Sequence, residues 1–189
     1  MATHPLQNTW VVWEHKQMGK DQGDEDWSNS MRDICEFGSV EDFWKYWSFI
    51  PRPSEVFFTS DAKKDVDGRI IDGFSVFKKG IVPDYCDPIN REGSELCCRK
   101  YFNPDVLDIY WENFVLGLIG ETIDEDGQIC GCRVVDKSKN KPMYRLELWY
   151  RSKNKDVGER LRLRLLDALT DGEAAKNPRG APEFSVKSH

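Results

Sequence analysis

Short β-prone runs mingle irregularly with amphipathic helices along this chain, and their order restricts the fold more than any other feature. Runs rich in β-branched and aromatic residues predict strands at 6–14, 31–37, 73–79, 95–102, 128–136, 143–151 and 183–188. Because strands and helices do not alternate strictly, a parallel sheet built from βαβ units is not predicted. We expect an α+β fold with one mainly antiparallel sheet and helices on one face.

Three segments have the spacing of amphipathic helices. Ser39 followed by Asp42 is typical of a helix N-cap, Pro104 begins the strongest pattern, and a third helix is predicted at about 155–169. Their apolar stripes comprise Phe43, Tyr46, Trp47 and Ile50, then Leu107, Trp111, Phe114 and Leu118, then Val157, Leu161, Leu165 and Leu169. Residues 51–72 have no clear period and predict a long loop or insertion.

Bulk composition restricts the class of protein. A length of 189 residues with 39% apolar residues predicts one domain over 1–189. A formal charge of −6 argues against binding long nucleic acids through their backbone, whereas a small anionic ligand held by a few cations remains compatible. There is no apolar run of about 20 residues and no signal-peptide pattern, so we expect the cytosol or the nucleus. Six cysteines without C-x-x-C spacing predict reduced thiols and no zinc site.

Two local features indicate a ligand. Trp27 lies among Asp24, Glu25, Asp26 and Ser28, where burial alone explains a tryptophan poorly and contact with a flat ligand is favoured. The turn K-S-K-N-K-P separates the strands predicted at 128–136 and 143–151, which predicts a hairpin with a cationic tip.

Five sequence blocks, in this order and spacing, resemble the translation initiation factor 4E family. They are H-P-L-Q-N-T-W-V-V-W from His4, S-V-E-D-F-W from Ser39, F-K-K-G-I-V-P from Phe77, W-E-N-F-V-L-G-L-I-G-E from Trp111 and I-C-G-C-R-V-V from Ile129. The resemblance runs from His4 to His189. It implies a curved sheet of about eight strands with three helices on its convex face. It also implies a protein without catalysis, cofactor or metal that binds the 7-methylguanosine cap of messenger RNA, in translation initiation or its regulation.

The resemblance implies three aromatic contacts to the cap. Methylation at N7 makes the guanine a cation, and a cation between two aromatic faces gains cation–π energy that neutral guanine does not. Trp27 and Tyr85 correspond to the two stacking rings, and Trp149 corresponds to the ring that packs against the methyl group. The family usually has tryptophan where this chain has Tyr85, so we expect weaker stacking.

The guanine edge departs from the family pattern. The family glutamate that accepts from the guanine N–H groups is replaced by Cys86, and a thiol is a weak acceptor. The nearest carboxylates are Asp87 and Asp84, and we expect Asp87 to take over this contact, with backbone groups and water as the alternative. Glu92 and Glu95 are further candidates, although Glu95 falls near a position where the family often has an arginine for the phosphates.

The phosphate contacts map onto the predicted hairpin tip. Family cations fall at Lys137 and Lys139, and a local insertion leaves the third position open between Lys141 and Arg145. Lys137 replaces an arginine, which keeps the charge but loses the fork geometry that suits phosphate oxygens.

The resemblance also implies a protein partner. The convex face of the family binds an amphipathic helix with a Tyr-x-x-x-x-Leu-apolar motif, found in the 4G scaffold and in 4E-binding repressors. Asn113 replaces a glutamate that pairs with the partner, and Glu112 replaces an apolar contact, so we expect altered partner choice. The matching positions are His4, Pro5, Val40, Trp44, Leu116 and Gly120.

Two other functions remain open from the sequence. Tyr85, Cys86 and Glu95 are compatible with a protein-interaction module that has lost most cap affinity. An enzyme has little support, because the carboxylate-rich segment 121–127 ends in an Asp-Gly turn signal and there is no nucleophile motif.

Overall fold

One antiparallel sheet forms the frame of the protein. The structure is a computed structural model that describes residues 3–17, 30–57, 62–173 and 181–189. The strands are β1 (Pro5–Lys16), β2 (Met31–Ser39), β3 (Asp65–Val66), β4 (Arg69–Lys78), β5 (Ser94–Lys100), β6 (Ile129–Asp136), β7 (Tyr144–Tyr150) and β8 (Ser185–Ser188). Their order is β2-β1-β4-β6-β7-β5-β8, with β3 paired to β4. Each of these pairings is antiparallel, which confirms the predicted fold class.

Three long helices and two single turns accompany the sheet. They are α1 (Val40–Trp47), α2 (Pro53–Val56), α3 (Pro88–Arg91), α4 (Pro104–Ile119) and α5 (Lys155–Thr170). Each long helix begins at a polar cap, because the side chains of Ser39, Asn103 and Asn154 accept from backbone amides of the first turn. Such a cap contributes about 1 kcal/mol. α1 ends at Trp47, so Ile50 of the predicted stripe lies beyond the helix.

The two faces of the sheet have different roles. Along β7, Tyr144, Leu146 and Leu148 join the main core with the buried residues of α4 and α5. Successive strand residues alternate between faces, so Trp149 lies on the opposite side, where it forms a separate cluster with Phe77, Ile81 and Cys130. We call these the helix face and the open face.

The predicted loop at 51–72 is partly wrong. It contains α2 and β3, and β4 already begins at Arg69. Asp67 and Gly68 both have positive φ and join β3 to β4 as a two-residue hairpin turn, for which Asp-Gly is a favoured sequence. The strand pattern at 73–79 missed this hairpin because β3 has only two residues.

Two further features follow from the described residues. All six cysteines are free thiols, of which Cys86 is exposed and Cys98, Cys130 and Cys132 are buried. Among the described helices, none combines the length and apolar character that crossing a bilayer requires.

Helix α5 offers a matched test of the helix face. Leu165 is fully buried, whereas Leu163 is 55% exposed. We expect Leu165→Ala to lower the free energy of unfolding by about 2–5 kcal/mol, and Leu163→Ala to change it by less than about 0.5 kcal/mol. Urea denaturation measures both, and equal losses would contradict this packing.

Candidate ligand-binding site on the open face

A row of side chains crosses the open face through the strand register. Phe77 of β4 pairs with Gly131 of β6, which pairs with Trp149 of β7, which pairs with Glu95 of β5. Lys187 of β8 ends the row beside Glu95. A Cβ at Gly131 would lie 2.4 Å from the Phe77 ring, so only glycine leaves space there. Phe77 therefore packs edge-on against Trp149, with 5.5 Å between ring centroids.

Two further aromatic rings pack against Trp149. Tyr85 stacks on it with 4.5 Å between centroids and 28° between planes. His189 lies against both, with centroid distances of 4.9 Å to Tyr85 and 4.7 Å to Trp149. Trp149 is fully buried, whereas Tyr85 is 40% exposed. Tyr85 therefore presents aromatic surface at the rim of this cluster.

The loop that carries Tyr85 is shaped by Asp87. Its Oδ1 accepts from the Ile89 amide at 2.9 Å, and its Oδ2 accepts from the Val82 amide at 2.9 Å. Both oxygens of Asp87 are thus bonded within its own loop. The Cys86 side chain is exposed beside it. The expectation that Asp87 turns inward to a base edge therefore has no support from these contacts.

Glu95 lies at the edge of the ring pair. The Tyr85 hydroxyl donates to its Oε2 at 3.1 Å, Lys187 Nζ lies 3.4 Å from Oε1, and His189 Nε2 lies 3.6 Å from Oε2. Burial alone would raise the pKa of Glu95, but His189, Lys187 and the Tyr85 hydroxyl together hold this pKa at about 2. Burial raises the pKa of Tyr85, and the negative charges of Glu147 and Glu95 add to this. The carboxylate is therefore ionised at neutral pH beside a neutral phenol.

A buried ionic group lies against the Trp149 indole. The Trp149 Nε1–H donates to Glu147 Oε2 at 2.8 Å, and Arg133 Nη1 lies 3.5 Å from the same oxygen. Arg145 Nε contacts the other oxygen of Glu147. The Arg133 guanidinium also lies 5.5 Å from the centre of the Trp149 ring. These contacts fix the orientation of the indole.

Arg133 and Glu147 are not among the residues predicted from the sequence. Arg133 is 3% exposed and Glu147 is fully buried, although both are charged. Glu147 precedes Trp149 by two residues, and strand periodicity places both on one face. A glutamate two residues before Trp149, on the same face of a strand with several apolar residues, was the sequence signal that could have identified this pair.

The predicted phosphate cations divide into two groups. Lys137 follows β6, and its pKa is lowered by burial and by the positive charges of Arg145 and Arg133. These three cations are therefore close enough to interact electrostatically. The predicted hairpin of β6 and β7 is confirmed. Lys139 and Lys141 are exposed at its tip. Trp27, the other predicted stacking ring, lies outside the described residues.

The predicted partner positions lie near α1 and α4. The His4 carbonyl accepts from the Val40 amide at 2.9 Å, which ties the start of β1 to α1. Val40 and Trp44 are exposed, whereas Leu116 is half-buried against the core. Asn113 Nδ2 donates to the Leu169 carbonyl at 3.0 Å and so links α4 to α5. Pro5 and Gly120 are exposed.

The carboxylates at 121–127 have structural partners. Asp124 accepts from the amides of Asp126 and Ile129, and Glu125 and Asp126 pair with Arg164 and Arg160 of α5. Within the described ranges, no group of three or more His, Cys, Asp or Glu side chains is placed to hold a metal ion.

Fold and site together define a class of α+β protein that presents aromatic and charged groups on one face of an antiparallel sheet. A model of the family described as Eukaryotic initiation factor 4E matches residues 5–177. Translation initiation factor 4E-2 of Schizosaccharomyces pombe is 35% identical, in a match that covers 100% of this chain and 71% of that protein. Factor 4E1 of Drosophila melanogaster is 31% identical, with 89% and 59% covered. The chain belongs to the eukaryotic initiation factor 4E family.

Solved structures of eIF4E-3 proteins have a fold similar to that of this chain. Ascaris suum eIF4E-3 in complex with m7G cap is 26% identical with a TM-score of 0.76, over 100% of this chain and 92% of that chain. C. elegans eIF4E-3 in complex with the 4E-binding protein Mextli is 25% identical with a TM-score of 0.75, over 100% and 94%. The Ascaris suum protein has also been solved with m2,2,7G cap.

The role of the buried ionic group beside Trp149 can be tested by measuring protein stability. Arg133→Met removes one partner of a buried carboxylate, so we expect a loss of about 3 kcal/mol in the free energy of unfolding. Arg99→Met changes an exposed arginine of β5 and should cost less than about 0.5 kcal/mol. Chemical denaturation provides both values, and an Arg133→Met loss no greater than that of the control would refute the buried pairing.

Proposed function

We propose that this protein binds the 7-methylguanosine cap of messenger RNA, without catalysis, in translation initiation or its regulation in the cytoplasm or nucleus. The observation that carries the proposal is the open-face site itself. Trp149 is buried under Tyr85, the ionised Glu95 lies at their edge, and Lys137 and Arg145 lie nearby. This combination suits a flat cationic base attached to phosphates. The solved complexes of Ascaris suum eIF4E-3 with m7G cap support it.

The base is proposed to stack on the solvent side of Tyr85. Tyr85 and Trp149 contact each other directly at 4.5 Å between centroids, so a third ring does not fit between them. Trp27 is the proposed second face of the sandwich. Trp149 is fully buried behind Tyr85 and supports that ring, so in this arrangement it does not make the methyl contact that the resemblance implies. Each base–aromatic stack contributes about 1–3 kcal/mol.

The phosphates are proposed to follow the hairpin. Lys137 lies at its base, and Lys139 lies at its exposed tip. The third phosphate contact is assigned to either Lys141 or Arg145. Lys141 is exposed, whereas Arg145 contacts Glu147. The local cations allow an anionic ligand even though the whole chain has a net charge of −6.

The helix side is proposed to bind an amphipathic helix of a 4G-type scaffold or a 4E-binding protein. Trp44 is 47% exposed and Val40 is exposed beside it, which provides apolar surface for such a helix. The C. elegans complex with Mextli supports this assignment. Pro5, His4, Leu116 and Gly120 are the remaining proposed contacts.

A second candidate is a protein-interaction module with little cap affinity. The exposed Cys86 in place of the family glutamate, and the engagement of both Asp87 oxygens within the loop, favour it. Retention on cap resin at physiological salt separates this candidate from a cap-binding protein.

Cap binding can be measured by tryptophan fluorescence. Quenching should saturate with 7-methyl-GTP and be much weaker with GTP, because only the methylated base is a cation. We expect Trp27→Ala and Tyr85→Ala each to weaken 7-methyl-GTP binding at least tenfold, about 1.4 kcal/mol. Tyr101→Ala, an exposed aromatic ahead of α4, is the control and should leave affinity unchanged. Equal affinities of the wild-type protein for the two nucleotides would reject cap recognition.

Partner binding can be measured with a peptide that carries the Tyr-x-x-x-x-Leu-apolar motif. Trp44→Ala should weaken its binding at least tenfold, about 1.4 kcal/mol, by removing exposed apolar contact area. The same variant should bind 7-methyl-GTP as the wild type does, because Trp44 lies outside the open-face site. Isothermal titration calorimetry measures both affinities, and peptide affinity unchanged by Trp44→Ala would place the partner elsewhere.

A further inference from the structure

A buried carboxylate lies between the aromatic cluster and the cations of the β6–β7 hairpin. Glu147 of β7 is fully buried, and the strand register sets it between Arg133 of β6 and Cys97 of β5. Arg145 is two residues nearer the hairpin tip and lies on the same face, because side chains alternate along a strand. Glu147 is therefore flanked by Trp149 on one side and by Arg145 on the other.

Glu147 engages both arginines of this group. Arg145 Nε contacts its Oε1, and Arg133 Nη1 lies 3.5 Å from its Oε2. The Arg133 side chain is 3% exposed and so is closed to a ligand, whereas the Arg145 side chain is 22% exposed. Arg145 is therefore the arginine that a phosphate can reach, and it is already paired with a carboxylate.

Other carboxylates near these cations have partners elsewhere. Asp72 lies within electrostatic reach of Lys137, but it is paired with Lys63. Asp136 accepts from a backbone amide of its own turn at 2.9 Å. Glu147 is therefore the carboxylate that contacts the arginines of the open face.

A phosphate and Glu147 compete for the same cation. Arginine presents its N–H donors in a planar fork that suits carboxylate and phosphate oxygens alike. The Nε of Arg145 already lies against Glu147, and salt screens a buried ion pair much less than it screens exposed charges. Glu147 also interacts electrostatically with Lys137. Its negative charge therefore opposes a phosphate at two of the proposed contacts.

We infer that Glu147 is a positioning residue that limits how strongly the site binds phosphate, by holding Arg145 beside the aromatic cluster and opposing the charge of the ligand. This inference rests on the proposed cap function. Of the two residues proposed for the third phosphate contact, Lys141 then makes it, because Lys141 is exposed at the hairpin tip and Arg145 is held. We therefore expect the protein to select the methylated base more strongly than the length of the phosphate chain.

The experiment compares 7-methylguanosine with 7-methyl-GTP by fluorescence titration. The ratio of the two affinities isolates the contribution of the phosphates, because both ligands have the same base. Glu147→Gln removes the charge and keeps an oxygen that can accept from the Trp149 Nε1–H. At about 0.05 M salt we expect Glu147→Gln to raise this ratio about fivefold over the wild type, and at about 0.5 M salt the rise should be smaller because exposed charges are screened.

Glu159→Gln is the matched control. Glu159 pairs with Arg162 on α5, which packs on the helix face, so this variant makes the same change of charge and also frees an arginine. Because Glu159 is exposed to solvent on the opposite side of the sheet, its charge is screened from the ligand and the ratio should stay within about twofold of the wild type.

The possible outcomes are distinct. A wild-type protein that does not bind 7-methyl-GTP overturns the proposed function. A wild type that binds, together with a folded Glu147→Gln protein whose ratio is unchanged, lower or raised equally at both salt concentrations, overturns the inference alone. Should Glu147→Gln fail to fold, the Nε–H signal of Arg145 in NMR spectra of the wild type provides the readout. Saturation with 7-methylguanosine and with 7-methyl-GTP should shift this signal equally, and a larger shift with 7-methyl-GTP would show that Arg145 is free to bind phosphate.

Discussion

The register of β5, β6 and β7 is the constraint on which the rest of the site depends. It sets Gly131, Trp149 and Glu95 side by side, and it sets Arg133 beside Glu147 one step along. Because side chains alternate between faces, a slip of one residue would send Trp149 into the helix-face core and Leu148 to the open face. The apolar residues of β7 that pack under α4 and α5 therefore also specify the position of the ligand site.

The open face uses its two buried glutamates differently. Glu147 has an indole donor at 2.8 Å and two arginine partners, so its charge is compensated inside the protein and its role is to orient Trp149. Glu95 has only longer contacts, and two of its three partners come from β8 and the residue after it. Removing either charge costs stability, because it leaves buried cationic or polar partners without their acceptor.

The sequence predicted the architecture better than the site. Period-two and helical spacing located seven of the strands and the three long helices, since burial on one face leaves a strong pattern. The β3–β4 hairpin was missed because a two-residue strand carries no period, although Asp67-Gly68 is a turn signal. The resemblance selected Tyr85 and Trp149, which the structure brings together. It did not select Arg133 and Glu147, although the register of the β6–β7 hairpin sets them opposite each other. It could not give the environment of Glu95, because that depends on pairing with β8, which is distant in sequence.

The position of Glu95 also bears on how a methylated base is distinguished from an unmethylated one. Guanine and 7-methylguanine present the same donor pair to a carboxylate, but only the methylated ring carries a positive charge. At a separation of about 5 Å and an effective dielectric constant of about 20, attraction between that charge and an ionised carboxylate is about 3 kcal/mol before desolvation is subtracted. A low pKa keeps Glu95 charged across the physiological range, so this attraction does not depend on pH there. In the proposed cap complex, the smaller π-face of Tyr85 weakens cation–π selection, and the ionised carboxylate beside that ring adds a negative charge that favours the methylated, cationic base.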